Sequence, residues 1–401
     1  MKQPRSSVPA IALLAAAAAC ADPAAPPAVT DAGQPAESRA AAADEARPIP
    51  EQYIVVFDDG VSDAPGLARR LGAGSGATVR HVYEHAIKGF SARMSEQAAA
   101  AIARNPNVAY VEQDQEVSVS TTQSNATWGL DRIDQRALPL STTYAYNNTG
   151  AGVTAYIIDT GIRLAHNEFG SRAVSGYDAV DGGSADDCNG HGTHVAGTVG
   201  GTTYGVAKGV SLVAVRVLDC GGSGSWSGVI AGMDWVTANH ASPAVANMSL
   251  GGGASTAVDD ATRRMIASGV ATAIAAGNGN RGGRQQDACG YSPARVAEAM
   301  TIGATTKTDA KTSWSNYGDC VDFFAPGSGI TSAWYTSNTA TNTISGTSMA
   351  SPHAAGVAAL YLQGNRTATA QQVRDALYAA TTKGIVTSSS TANNHLLFTA
   401  Y

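Results

Sequence analysis

From Gly150 onward, apolar segments alternate with segments that are rich in small residues at helical spacing. The first apolar segment, Val153–Ile158, is nearly continuous, as expected for a strand that helices cover on both faces. The same signal returns at 210–217, 244–248, 270–275 and 299–302. This alternation predicts an α/β fold, with a doubly wound and mostly parallel sheet whose ligands bind beyond the carboxyl ends of the strands.

The composition supports a globular fold and argues against two functional classes. Hydrophobic residues make up 44% of the chain and charged residues only 14%, which suits a chain that buries a core. The 26 basic residues against 32 acidic ones give a net charge of −6, which disfavours a nucleic-acid partner. The longest apolar run, Val8–Ala21, is too short to cross a bilayer, so no transmembrane segment is expected.

The beginning of the chain has the pattern of a secretory signal. Lys2 and Arg5 precede a short apolar segment and a run of alanines, so residues 1–20 are expected to form a signal peptide. Residues 21–50 are rich in Ala and Pro and are expected to form a disordered linker. The protein is therefore expected to be secreted, and Cys20 offers the alternative of a lipid-anchored precursor.

Residues 51–120 have the pattern of a small α+β domain. Tyr53–Phe57, Gly89–Met94 and Val108–Glu112 have the composition or alternation of strands. The segments between them are rich in Ala and Arg at helical spacing, which gives the order strand–helix–strand–helix–strand. Nothing in this segment indicates catalysis, and a separate catalytic domain is expected over 121–401.

Four cysteines follow the signal, at Cys188, Cys220, Cys289 and Cys320. They form no CxxC or Cys–His spacing suited to zinc. An even number of cysteines in a secreted chain suggests disulfides. Three pairings are possible, and the spacing does not choose between them.

Three polar motifs stand at the borders of predicted elements. Asp159 follows the first strand, where a turn or cap residue is an equally good interpretation. His191 and His194 stand in His-Gly-Thr-His, without the glutamate or the third ligand of a zinc site. Ser348 precedes an apolar helical run with Pro352 early in it, which places a hydroxyl among free N–H groups at the mouth of a helix.

These residues together can form a nucleophile with its base. A serine hydroxyl needs an adjacent base, which is itself oriented by a carboxylate. The chain offers Asp159, His191 and Ser348 in that order, which is the order of subtilisin and differs from those of chymotrypsin and the α/β-hydrolases.

The motifs resemble the subtilisin-like serine proteases, and within them the aqualysin-like members of the proteinase K branch. The resemblance rests on the three motifs and on Trp128–Gln135, Asp187–His191 and Cys289–Arg295, and it covers 121–401. Tyr53–Val117 resembles the inhibitory prodomain of that family.

The resemblance implies a secreted, monomeric serine endopeptidase that hydrolyses polypeptides through an acyl-enzyme and needs no catalytic cofactor. Ser348 is then the nucleophile, His191 the general base and later the acid, and Asp159 the residue that orients His191. Asn278 corresponds to the side chain that stabilises the oxyanion, although the sequence alone favours a turn residue there. Losing one such donor typically costs about 100- to 1000-fold in kcat.

The resemblance also indicates how a peptide would bind. Two segments are expected to pair with an extended substrate through main-chain hydrogen bonds, which do not read side chains. The pocket for the residue before the scissile bond has small, uncharged walls, so it favours a large apolar or aromatic side chain. The expected substrate-binding residues are Gly222, Ser223, Gly224, Ser249, Leu250, Gly251, Ala275, Ala276 and Gly277.

Structural calcium and a disulfide pairing follow from the same resemblance. The implied disulfides are Cys188–Cys220 and Cys289–Cys320. One calcium site is expected at the carboxylate of Asp322 with the carbonyls of Ala297 and Ala299, since calcium prefers hard oxygen ligands. The second expected site consists of Asp131, Asp134, Gln135, Ser141 and Thr143. Ordinary surface loops are the alternative interpretation at both sites.

The domain over 51–120 is expected to inhibit the protease before export and to assist its folding. Val117–Ser120 is extended, small and uncharged in character, so it can lie in the substrate cleft. We expect Ser348 to cut the chain close to the bond between Ser120 and Thr121.

The sequence departs from the pattern of the family in two places. Gly279–Asp287 is rich in Gly and Arg and is expected to be a surface insertion, and no further domain is expected after Tyr401.

Another serine hydrolase, such as an esterase, is disfavoured by the motif order and by the absence of a Gly-x-Ser-x-Gly elbow. A catalytically inactive subtilisin-fold binding protein is disfavoured because the three motifs and Asn278 are all present.

Overall fold

The computed structural model describes residues 48–115, 121–280 and 282–401. The expected signal peptide, Cys20 and the expected cleavage segment therefore lie outside the described residues. Within the described ranges, no helix combines the length and the apolar character that a bilayer span requires.

The N-terminal part is a four-stranded antiparallel sheet in the order β2-β3-β1-β4, with two helices. It has its own hydrophobic core, to which Val55, Phe57 and Phe90 belong. Both helices begin at a side-chain cap, since Asp63 and Ser95 accept hydrogen bonds from N–H groups of the first turn. The elements in chain order are β1 Pro48–Phe57, α1 Ala64–Ser75, β2 Thr78–Tyr83, β3 Gly89–Arg93, α2 Glu96–Ile102 and β4 Val108–Gln115.

Two features of this part differ from the expectations. Strand β2 was absent from the predicted order, because Thr78–Tyr83 lies at the edge of the sheet and most of its side chains are exposed. Strand β1 begins at Pro48, where it pairs with Gln115, so the end of the segment 21–50 belongs to the sheet and not to a disordered linker.

The remaining part contains thirteen strands and six helices among its described residues. The strands are β5 Thr121–Ser124, β6 Thr143–Tyr146, β7 Thr154–Asp159, β8 Ala173–Asp178, β9 Ser211–Arg216, β10 Ala244–Met248, β11 Gly252–Gly253, β12 Val270–Ala275, β13 Tyr291–Ser292, β14 Met300–Thr305, β15 Phe323–Pro326, β16 Ile330–Ala333 and β17 Thr341–Ile344. The helices are α3 Trp128–Ile133, α4 His191–Gly200, α5 Trp226–Asn239, α6 Thr256–Ala267, α7 Thr347–Gly364 and α8 Ala370–Ala380.

Seven of these strands form one parallel sheet, in the order β15-β14-β12-β10-β7-β9-β8. The chain first builds β8 and β9 on one side of β7 and then crosses to build β10 and the later strands on the other side. The strand order therefore reverses at β7, and a crevice opens beyond its carboxyl end.

Helices cover both faces of the sheet, which confirms the predicted doubly wound α/β fold. A methyl group added to Gly200 of α4 would meet Leu212 on β9. A methyl group added to Gly232 of α5 would instead meet Val215, the next-to-last residue of β9, and Val217, which directly follows the strand. Residues an odd number apart on a strand point to opposite faces, so α4 and α5 lie on opposite sides of the sheet.

The close contact of α7 with the end of α4 gives a test of this packing. A Cβ on Gly356 would lie 2.5 Å from Cβ of Val206 and 3.1 Å from the carbonyl oxygen of Val199. Gly356→Ala should therefore lower the free energy of unfolding by about 1–3 kcal/mol. Gly364→Ala is the control, because the nearest atom there is Nδ2 of Asn148 at 3.8 Å. Equal urea midpoints for the two variants would contradict the packing.

Candidate active site

Asp159 and His191 meet at the crevice beyond β7. Asp159 is the last residue of β7 and is fully buried, and His191 is the first residue of α4. Nδ1 of His191 lies 2.7 Å from Oδ1 of Asp159. The same oxygen accepts the N–H of Thr160 at 2.8 Å. The sequence motifs are thus joined by a short hydrogen bond at the switch point of the sheet.

This pairing changes the acid–base behaviour of the imidazole. Burial by itself lowers the pKa of His191, but the charge of Asp159, their hydrogen bond and the charge of Asp187 together raise that pKa above its ordinary value. The two neighbouring histidines behave differently: burial lowers the pKa of His194 and of His353 to about 4. Both are bonded to backbone carbonyls, so they serve structural roles as neutral side chains.

Ser348 is the second residue of α7, and the carbonyl of the same residue has an unusual partner. Pro352 lies four residues further on and has no N–H for the carbonyl of Ser348, a loss that normally weakens a helix. The hydroxyl of Ser249 donates to that carbonyl instead, at 2.8 Å. In the other direction, the hydroxyl of Ser348 donates to the carbonyl of Ser249 at 3.2 Å. Pro352 therefore lies deeper in the helix than expected, and a side chain from the end of β10 offsets its effect.

The hydroxyl of Ser249 belongs to a buried hydrogen-bond chain. Nδ2 of Asn247, on β10, donates to Oγ of Ser249 at 2.8 Å, and Oγ of Ser351 donates to Oδ1 of Asn247 at 2.7 Å. Asn247 and Ser351 are fully buried. This chain fixes the first two turns of α7 against the end of β10.

The amide of Asn278 is held next to the backbone of Ser348. Its Oδ1 accepts hydrogen bonds from the N–H and the hydroxyl of Thr347, at 2.8 and 2.9 Å. A Cβ built on Gly346 would lie 3.4 Å from Nδ2 of Asn278 and 3.5 Å from the N of Ser348. The two N–H donors thus border the same small space, which is the arrangement needed to stabilise an oxyanion.

Two adjoining cavities, of 640 and 230 Å³, extend from these residues and share Ser249–Gly252 as a wall. His191 lines the larger cavity, and Ser348 and Asn278 line the smaller one. All nine residues expected to bind substrate are found here. Gly222, Ser223 and Gly224 line the larger cavity, Ala275, Ala276 and Gly277 the smaller one, and Ser249, Leu250 and Gly251 both.

Two lining residues were missed by the sequence analysis. Trp226 lines the larger cavity, and its ring would lie 2.7 Å from a Cβ added to Gly252. Asn316 lines the smaller cavity, and its Nδ2 donates to the carbonyl of Ala276 at 2.9 Å. An aromatic residue directly after the Gly- and Ser-rich segment 221–225 was an available signal for Trp226, whereas nothing local marks Asn316.

The two ends of the segment Gly279–Asp287 lie close together beside the smaller cavity. Oδ1 of Asn316 accepts the N–H groups of Gly279 and Gln286, at 3.0 and 2.9 Å, so one side chain closes the loop. Arg281 lies outside the described residues, and Arg284 is exposed.

The disulfides join Cys188 to Cys220 and Cys289 to Cys320, which are the pairs that the resemblance implies. The first connects the loop before His191 to the loop that leads into Gly222. The second connects the segment after Gly279–Asp287 to the loop before β15. Each disulfide thus constrains loops that border the cavities.

The residues expected at the first calcium site do not fit a calcium ion. The guanidinium of Arg374, from α8, lies where the cation was expected. Its Nη2 donates to Oδ1 of Asp322 at 2.5 Å, and its Nε donates to the carbonyl of Ala299 at 3.1 Å. The other carboxylate oxygen of Asp322 accepts the N–H of Thr301 at 2.7 Å. A positively charged side chain thus occupies the position expected for the cation at two of the three residues, Asp322 and Ala299, and among the described residues no contact to the carbonyl of Ala297 supports a calcium ion there.

The second expected site fits a cation better. Asp131 and Asp134 lie close enough for their negative charges to repel each other. Oδ1 of Asp134 is buried without a hydrogen-bond partner among the described residues. Burial raises the pKa of Asp134 to about 7, and the charge of Asp131 adds to the rise. The hydroxyls of Ser141 and Thr143 lie 2.7 Å apart, and Ser141 donates to Asp131 at 2.9 Å.

The side-chain amide of Gln135 is anchored in the loop next to this second site. Its Nε2 donates to the carbonyls of Ala137 and Pro139. In the described part of the chain, no group of three or more His, Cys, Asp and Glu side chains is arranged to hold a metal. A cation here would have two carboxylates, two hydroxyls and the side-chain oxygen of Gln135 as candidate ligands.

Comparison with known proteins gives concordant matches. A family model described as "Subtilase family" matches residues 51–397. The chain is 56% identical to an extracellular serine proteinase of Thermus sp. (strain Rt41A), over 88% of this chain and 90% of that protein. It is 52% identical to an alkaline serine exoprotease A of Vibrio alginolyticus, over 87% and 67% of the two chains.

A solved structure is similar as well. The crystal structure of a cold adapted subtilisin-like serine proteinase matches with a TM-score of 0.66 and 57% identity. The match covers 69% of this chain and 99% of that one.

The contact between Arg374 and Asp322 leads to a test of stability. Arg374→Ala leaves a largely buried carboxylate without its cation, which should lower the free energy of unfolding by about 1–3 kcal/mol, since the guanidinium is partly exposed. Added calcium should restore part of that loss by taking the vacated position. Thermal unfolding of Arg264→Ala, an exposed arginine on α6, is the control. Equal Tm values for the two variants would contradict this interpretation.

Proposed function

Because this chain belongs to the subtilase family and its relatives are named serine proteinases, we propose that it is a secreted serine endopeptidase that works through Ser348, His191 and Asp159. The observation that carries the proposal is the 2.7 Å contact of His191 with the buried Asp159, beside a cleft that Ser348 also lines. The alternative, an inactive binding protein, has no specific observation in its favour.

The reaction proposed for this site is acyl transfer to Ser348 and then to water. Oγ of Ser348 attacks the substrate carbonyl carbon while His191 takes the proton of the hydroxyl. The new C–O bond forms as the electrons of the carbonyl π bond move to the oxygen, which becomes an oxyanion. His191 then gives the proton to the leaving amine as the C–N bond breaks. Asp159 stabilises the imidazolium and holds its orientation. Water deacylates the enzyme by the same steps.

The developing oxyanion has two donors in this proposal. Oδ1 of Asn278 is occupied by Thr347, so the amide can only turn its Nδ2 toward the space that it shares with the N–H of Ser348. Donors fixed in advance stabilise the transition state without reorganisation when charge develops. The arrangement therefore favours the transition state over the bound substrate.

We propose a broad specificity with a preference for large apolar or aromatic side chains before the scissile bond. The smaller cavity has Ala275, Ala276 and Gly277 along one wall and Gly251 along another. These walls bring no charge into the pocket, so an ionic preference is not expected. The larger cavity, with the indole of Trp226, would take residues further from the scissile bond.

We propose that the domain organisation follows the expected zymogen. Residues 1–20 direct export, 51–120 form the inhibitor and folding aid, and 121–401 form the monomeric protease. The separate hydrophobic core of the N-terminal sheet supports a domain that can persist after cleavage.

The Ser348→Ala variant tests the proposed function. It should accumulate as an uncut full chain, inactive on casein, because the proposed self-cleavage near Thr121 needs the hydroxyl. Wild-type protein should yield a mature chain beginning near Thr121 and should react with a fluorophosphonate at Ser348. Cleavage of purified Ser348→Ala protein at that bond would contradict the assignment, and a folded wild type that neither cleaves nor reacts would favour the binding protein.

We also propose that calcium stabilises the protein through the cluster of Asp131, Asp134, Gln135, Ser141 and Thr143. A bound cation would compensate the unpartnered Oδ1 of Asp134 and the repulsion between the two carboxylates. Calcium supplies no catalytic step here.

Chelation should therefore lower the Tm of wild-type protein at low ionic strength. Asp134→Asn should remove most of that response, because the amide offers no charge for the cation. Asp260→Asn, which changes an exposed carboxylate on α6, should keep the response. A wild-type Tm that chelation leaves unchanged would contradict the proposal.

A further inference from the structure

We propose that Asp187 is a positioning residue for the pair of Asp159 and His191, because its carboxylate ties the chain after Asp159 to the first turn of α4. This inference rests on the proposed function, which assigns catalysis to that pair. Asp187 is 6% exposed and lies in the loop before His191.

Five hydrogen bonds converge on the Asp187 carboxylate. Oδ1 accepts the hydroxyl of Thr160 at 2.9 Å and the N–H groups of Asn189 and Gly190, at 2.9 and 3.0 Å. Oδ2 accepts the N–H and the hydroxyl of Thr193, at 2.9 and 2.6 Å. A carboxylate that accepts this many hydrogen bonds is fixed in place.

These bonds replace the ordinary cap of α4. The residue before the helix is Gly190, which has a φ of 111° and no side chain to accept the free N–H groups of the first turn. Asp187 accepts the N–H of Thr193, and the hydroxyl of Thr160 accepts the N–H of Gly192 at 2.9 Å. A negative charge is also favoured at this end of a helix.

The link through Thr160 is what connects the cap to the catalytic pair. Thr160 directly follows Asp159, so its hydroxyl fixes the end of β7, while Asp187 fixes the start of α4. The distance between Asp159 and His191 is therefore set by backbone segments that Thr160 and Asp187 join. Misplacement of a catalytic group by about 1 Å can cost about 100-fold in rate.

Asp187 also acts on the imidazole through its charge. The titratable groups in electrostatic contact with His191 include Asp159, Asp187 and His194. Of these, the two carboxylates raise the pKa of His191, so the removal of one charge lowers it. Since the base must be neutral to accept a proton, a lower pKa moves the acidic limb of the pH profile to lower pH.

The experiment compares kcat, KM and the pH profile of kcat/KM on a peptide substrate for wild type and four variants, each produced as the full chain and assayed after maturation. Asp187→Asn should lower kcat about 10- to 100-fold, leave KM within about twofold, and move the acidic limb down by about half a pH unit. Asp259→Asn is the control for stability, since it removes a buried carboxylate charge from the first turn of another helix. It should leave kcat and the acidic limb unchanged.

A pair of variants at Thr160 keeps the test independent of how Asp187→Asn folds. Thr160→Val removes the bridging hydroxyl and should lower kcat about tenfold, whereas Thr160→Ser retains the hydroxyl and should stay close to wild type. Equal kcat values for Thr160→Val and Thr160→Ser, or a folded Asp187→Asn with an unchanged kcat and acidic limb, would overturn the positioning role. A folded wild type without peptidase activity would instead contradict the proposed function and this role with it.

Discussion

The fully buried carboxylate of Asp159 is the feature around which this structure is organised. A buried charge is costly unless it is paired and hydrogen-bonded. Oδ1 of Asp159 has the imidazole of His191 and the N–H of Thr160 as partners, whereas Oδ2 is buried without a partner among the described residues. The site exists because β7 is the strand at which the sheet order reverses, so that a crevice opens beyond Asp159. The apolar strands on either side and the helices on both faces hold that end of the strand in place.

The opposite side of the cleft depends on a local exception to helix chemistry. Pro352 deprives the carbonyl of Ser348 of its usual partner, and the hydroxyl of Ser249 supplies another. Because Ser249 is in turn bonded to Asn247 on β10, the helix that carries Ser348 is tied to the same sheet that carries Asp159. Asp159 and Ser348 are thus both attached to neighbouring parallel strands, β7 and β10, which limits their relative motion.

The predictable parts of this structure are those whose signals are local. The bounds of β10 and β12 follow from the sequence, because strands covered on both faces are continuous apolar runs. The edge strands β2 and β8 were missed because much of their surface is exposed. The contacts of Arg374 with Asp322 and of Asp187 with Thr160 join residues that are far apart in the chain, so no local sequence pattern predicts them. The sequence therefore did not reveal that Arg374 contacts two residues of the expected calcium site, Asp322 and Ala299.

The most direct test of the account is the kcat of Asp159→Asn, measured with the folded state checked by circular dichroism. The amide has nearly the shape of the carboxylate, but it cannot stabilise the imidazolium and favours the wrong tautomer of His191. We expect kcat to fall about 10⁴-fold at neutral pH while the protein remains folded. A folded Asp159→Asn variant with a kcat within about tenfold of wild type would contradict the central claim.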